Sequence, residues 1–191
     1  MATTSEILNP IVNGIFNGSF VLLISLLVIK LFKINIHPTK YKTLINSTSY
    51  TLLLGSLLYI LGFAAEFFIA FFSGREYEQY TISNRVAGPY WEIISISNFI
   101  PYVLLPQLLW IRKFRSSLIV VSVILFTPRI LYLVEEIWFR AAKVEWSMHY
   151  TMSAVIIDYL KGVLIYLPIL IGVYLILLQR KKQVKDYSTN L

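Results

Sequence analysis

Five ionisable residues, Glu66, Arg129, Glu135, Glu136 and Asp158, sit in or beside strongly apolar stretches of this 191-residue chain. A charge in hydrocarbon surroundings is expensive, so each needs a partner or a path for water. A carboxylic acid so placed can take up and release a proton, which suits a relay. Arg129 and Glu136 are seven positions apart, hence on one helix face about two turns from each other, with Glu135 offset by one position. Two readings stay open for them: an interhelical ion pair that fixes packing, or a proton-conducting or quinone-facing cluster. Asp158 and Lys161 have the i, i+3 spacing of a pair that neutralises itself.

Other chemistries fit poorly. There is no cysteine, which removes thiolate-ligated iron–sulfur clusters, covalent haem and disulfides from this chain. A b-type haem needs histidines at matching depth. The two histidines, His37 and His149, flank different helices and fall on opposite sides of a membrane in the topology derived below. No His/Asp/Glu spacing resembles a metal site, and no nucleophile stands with an anchored base. The expectation is a chain that is not catalytic by itself and carries no cofactor of its own. A quinone at a subunit interface, or a lipid in an aromatic-lined pocket, is left open as a ligand. Aromatic residues, 15% of the chain, are more simply an interfacial belt at Tyr77, Tyr80, Tyr90, Trp91, Trp138 and Trp146.

The elements that must position these residues are membrane helices. Hydrophobic residues make up 57% of the chain and charged ones 14%, a balance that suits a multi-pass membrane protein rather than a soluble domain. Five spans are expected, 11–32, 50–72, 91–111, 118–139 and 152–178, followed by a polar tail at 179–191 that should fray. The fold class is all-α: a four-helix bundle of spans two to five, with the first helix at its side or against a partner. Lys30, Lys33, Lys40, Lys42, Arg112, Lys113, Arg115, Arg180, Lys181, Lys182 and Lys185 collect at one end. Only Arg75, Arg85, Arg140 and Lys143 belong to the other. The positive-inside rule then puts the N-terminus out and the C-terminus in. The net charge of +7 is absorbed by this pattern, so no nucleic-acid partner is expected. The first apolar run is followed, not preceded, by its lysines, which reads as a retained helix rather than a cleaved leader. Asn13, Gly14, Asn17, Gly18 and Ser19 form a small, polar face suited to close helix packing. Pro38 should break a helix and Pro168 should kink one.

The chain is arranged around the hairpin from Tyr50 to Ile111. Glu66 is followed by AFFSG, then by Tyr77-Glu78, Asn84-Arg85, Gly88-Pro89-Tyr90-Trp91 and Asn98. Pro106-Gln107-Leu108-Leu109-Trp110 comes next, and the basic turn of Arg112, Lys113 and Arg115 closes the series. In this order these residues resemble the C-terminal half of the NrfD/polysulfide-reductase-type membrane subunits. The likeness is greatest to those of alternative complex III, a bacterial quinol-oxidising respiratory complex. It spans about residues 45 to 180. It places Glu135 on a family glutamate and Asp158 on an aspartate at the start of the last span. A family arginine is replaced by Glu136 and a polar position by Arg129. Quinone in the family is bound chiefly near a first bundle that has no counterpart here. The resemblance therefore implies an accessory subunit of a bacterial inner-membrane, energy-transducing complex. It would scaffold other integral membrane subunits, with cytochrome and iron–sulfur subunits as partners, and contribute part of a proton path through Glu66, Arg129 and Glu135. The alternative is an interaction or assembly module of another cell-envelope machine. Its docking surface would be the polar loop after Phe72, with Arg75, Tyr77, Glu78, Asn84, Arg85 and Trp91 as contacts.

Overall fold

The computed structural model of the chain describes residues 4–34, 37–72, 74, 76–88, 91–141 and 152–189, and every regular element among them is helical. In order these are α1 (Thr4–Leu31), α2 (Pro38–Phe72), α3 (Glu76–Ala87) and α4 (Trp91–Phe99). A π turn (Ile100–Leu104), α5 (Leu105–Gln107), a 3-10 turn (Leu108–Trp110), α6 (Arg112–Arg115), α7 (Leu118–Ala141) and α8 (Met152–Thr189) complete the chain. Among the described residues five stretches are long and apolar enough to cross a membrane: Leu8–Leu31, Pro38–Phe72, Trp91–Trp110, Leu118–Trp138 and Val155–Arg180. The chain is an all-helical protein of the multi-pass membrane type.

α1 ends in a Schellman turn. The Ile34 N–H donates to Ile29 O across 3.1 Å, and Lys33 takes the left-handed conformation at φ 51°. Pro38 then opens α2 instead of breaking a helix, with the N–H groups of Lys40 and Tyr41 both donating to His37 O. A proline fits there because its fixed φ is helical and its missing N–H would have had no partner.

α2 begins twelve positions before the expected Tyr50. Its first turns are rich in hydroxyls, and several bond back one turn. Thr43 Oγ1 donates to Thr39 O (2.7 Å), Ser47 to Thr43 O (2.9 Å), Thr48 to Leu44 O (3.0 Å) and Thr51 to Ser47 O (2.9 Å). Polar side chains satisfied in this way can be buried at little cost, and Thr43, Ser47, Thr48, Ser49 and Thr51 all are. At 35 residues α2 is about 52 Å long, against a hydrocarbon core of about 30 Å. Its basic end therefore projects.

The expected bundle of spans two to five, with the first helix at its side, is not how the chain packs. α1 is the most deeply buried of the five spans and lies against α8, α2 and α7. Gly14 and Gly18, one turn apart, let α8 approach. A Cβ on Gly14 would lie 2.9 Å from Ile165 Cβ, and one on Gly18 would overlap Tyr166. From α8, Gly162 answers with 3.0 Å to Asn17 Cβ, and Gly55 of α2 does the same against Ile15 (2.8 Å). Lipid gives helices no hydrophobic reason to associate, so contact area at close range decides the arrangement. Val12, Ile15, Phe16, Leu52, Ile124 and Leu125 fill the seam between α1, α2 and α7.

Three further expectations change. The polar loop contains α3. The third span is helical but not continuous α-helix, as Pro101 and Pro106 interrupt it with the π turn, in which the Leu105 N–H donates to Ile100 O. The residues from Gln179, expected to fray, continue α8 to Thr189.

Candidate functional site

The half-buried cation Arg129 is the centre of the site. Pro128 sits inside α7, next to Arg129, and withdraws one backbone donor from that turn. The Arg129 side chain reaches back along the helix, and its Nη1 donates to Leu125 O at 2.9 Å. The other arm crosses to α1, where Nη2 donates to Asn17 Oδ1 at 3.0 Å, between residues 112 positions apart. One turn further along α1, Phe20 offers its face to the guanidinium at 4.2 Å. Phe126 meets the same ring edge-on at 5.2 Å, and Tyr159 of α8 lies tilted to it at 6.2 Å. Three helices thus meet at one charge. A carbonyl, an amide oxygen and a π face hold it, and each offers partial negative charge without titrating.

That arrangement decides what Arg129 can do. An arginine does not release its proton, and an amide does not accept one. The trio is a fixed charge and an interhelical pin. Glu135 and Glu136 stand on the side of Arg129 away from its reach, half-buried toward the C-terminal end of α7. Glu66 is half-buried on α2, and Asp158 and Lys161 are both exposed on α8. Among the docking candidates, Tyr77 is 81% exposed on α3 and Trp91, at the start of α4, is 44% exposed. Glu78, Asn84 and Arg85 fall on α3. Arg75, Tyr90, Trp146 and His149 lie outside the described residues.

Two polar contacts that sequence reasoning did not pair lie along the third span. Gln107 Nε2 donates to Ser56 Oγ of α2 at 2.9 Å, while Gln107 Oε1 accepts from Trp110 Nε1 at 2.8 Å. The widened turn before Gln107 brings Tyr102 inward, where its ring stacks on Tyr59 at 5.4 Å and meets Phe16 edge-on at 4.8 Å. Nearby, the buried Tyr166 hydroxyl donates to Thr48 Oγ1 at 3.3 Å. Depth could have signalled the Asn17–Arg129 pair, because both fall toward the middle of their spans and a membrane cation needs an acceptor.

Gln107 ties α5 to α2, so its loss should be felt as stability. Ser56→Ala is expected to cost about 0.6 kcal/mol, the average for such bonds within membranes. Gln107→Leu removes both bonds and leaves the Trp110 donor without its acceptor, so it should cost more, about 1–2 kcal/mol. Unfolding in mixed micelles reads both, and the reverse ranking would contradict the geometry.

No protein-family model, curated protein or solved structure matches this chain.

Proposed function

We propose that the protein is an accessory subunit of a bacterial energy-transducing membrane complex of the NrfD-like, quinol-oxidising type, and that its task is to hold partner subunits together. It would lie in the inner membrane with its N-terminus outside and its C-terminus inside. The use made of Arg129 carries the accessory part of this reading. The Arg129 charge is spent on an amide, a carbonyl and a phenyl ring, which locks α1 to α7. Membership of the respiratory type is supported by the ordered run from Glu66 to Arg115 and by the positions of Glu135 and Asp158. Within this reading Glu66 and Glu135 are the proton-carrying groups, Arg129 supplies only a fixed positive potential, and any quinone sits at an interface with a partner.

The test is purification in mild detergent through a C-terminal tag, with mass spectrometry and an optical spectrum of the same sample. Haem absorbance together with iron–sulfur subunits is the expected result. A colourless assembly of non-redox partners overturns the respiratory assignment. In a redox complex, Glu66→Gln should leave assembly intact and lower proton coupling; unchanged coupling removes Glu66 from the path.

One observation favours the other reading, a docking module of a different envelope machine. α3 presents Tyr77 and Tyr80, 81% and 67% exposed, beside the membrane edge. Exposed tyrosines on a short helix suit a partner surface. Co-purification with secretion or motility components would select it.

A further inference from the structure

The basic residues at one end of the molecule do more than cluster along the sequence. Lys42 and Asn46 of α2, Arg112, Lys113 and Arg115 of α6, and Arg180 of α8 line a single open cavity of about 1100 Å³. Tyr50 and Leu177 complete part of its wall, and no acidic residue is among its described lining. Topology alone asks only that cations lie near one end of the helices. It does not ask three elements to aim them into one space.

That space is held in shape by its own contacts. Arg115 lies over the Tyr50 ring at 4.4 Å, and the hydroxyl of Ser49 donates to Arg115 O at 2.8 Å, which ties α6 to α2. A second cavity of about 620 Å³ adjoins the first and shares Lys42 and Ser116 with it; Lys30 and Lys33 add to its charge. Each wall also holds a buried polar atom with no hydrogen-bond partner: Asn46 Oδ1 in the larger cavity and the Tyr41 hydroxyl in the smaller.

We propose that this cavity is a binding site for the headgroup of an anionic phospholipid. The phosphate would lie among Arg112, Lys113 and Arg180, and an acyl chain would leave past Leu177. The assignment follows from place and chemistry together. The cavity lies where the helices leave their apolar stretches, its cations are guanidinium-rich and suit phosphate oxygens, and it joins an apolar wall to a charged one. It is independent of the respiratory reading.

The experiment uses the full chain in detergent with phosphatidylglycerol, phosphatidylcholine and inorganic phosphate as probes, read by native mass spectrometry and by equilibrium lipid binding. Phosphatidylglycerol should be retained at one per chain through delipidation, while phosphatidylcholine is washed out. Arg112→Gln/Lys113→Gln/Arg180→Gln removes three exposed cations and should weaken phosphatidylglycerol binding at least about tenfold. Lys40→Gln/Lys182→Gln removes exposed charge outside the cavity and should weaken it less than about twofold. Equal losses in the two variants would mean diffuse attraction and overturn the site. Displacement of the lipid by millimolar inorganic phosphate would make it a free-phosphate site and overturn the lipid assignment. All the substituted side chains are exposed, so folding is not at stake.

Discussion

Gly18→Ala should destabilise the protein more than any other single methyl group added to it, by about 3 kcal/mol or more. The added Cβ would fall on the Cβ of Tyr166 itself, not on a flexible tip. Moving that atom means moving the backbone of α8, and with it the hydrogen bond from Tyr166 to Thr48. The clash predicts its own control. Tyr166→Ala keeps a Cβ in the same place, so it should not rescue Gly18→Ala. Gly172→Ala, also on α8, meets nothing within 4 Å and should be neutral or mildly stabilising. Unfolding of the three variants and the double variant in mixed micelles gives the ranking. Rescue by Tyr166→Ala would show that the ring, and not the helix approach, sets the limit.

The second large effect concerns the half-buried cation Arg129. Asn17→Leu takes away the acceptor of Arg129 Nη2 and leaves the charge with Leu125 O and the Phe20 face, at a cost of about 2–3 kcal/mol. Arg129→Met should cost less, because it leaves only a neutral amide without a partner. The double variant Asn17→Leu/Arg129→Met should return to within about 1 kcal/mol of the parent, since matched apolar groups often replace a buried polar pair without loss. A double-mutant cycle measures the coupling. A double variant as unstable as Asn17→Leu alone would mean that Arg129 answers to groups beyond this pair. In an assembled complex the same double variant separates pin from function: a pin can be replaced by apolar packing, whereas a charge that sets a proton potential cannot.

Much of the helix count was readable because length and apolarity are local. Leu118 to Phe139 and the core of the first and last spans announce themselves by composition. The start of α2 did not. Thr43, Ser47 and Thr48 read as loop residues, and only the back-bonds to the preceding turn show why they are at home in a buried helix. The break in the third span had a visible cause in Pro101 and Pro106, yet nothing in two prolines says which turn will widen. Arg129 was legible as a charge in need of a partner. Its acceptor lies on another helix, at a separation no periodicity can bridge. The central place of α1 was half-written in Gly14 and Gly18, which promised close packing without naming the helix that would come close. At the basic end, the charges were legible as a cluster along the sequence, but their convergence depends on how α2, α6 and α8 are brought together.

The π turn has a consequence for how this helix can change. A π turn carries one residue more than the α-helical turn it replaces, so it behaves as a single-residue insertion accommodated without a loop. Everything after it is rotated by about 100° relative to an uninterrupted helix. Gln107 faces Ser56 only because of that rotation. Loss of one residue between Ile100 and Leu104 would let the helix close up, swing Gln107 and Trp110 to a different side, and exchange the helix face turned toward α2. The segment is thus a built-in phase shift, through which a one-codon change could redirect a whole flank of the protein toward a new neighbour while its length and apolarity stayed almost the same.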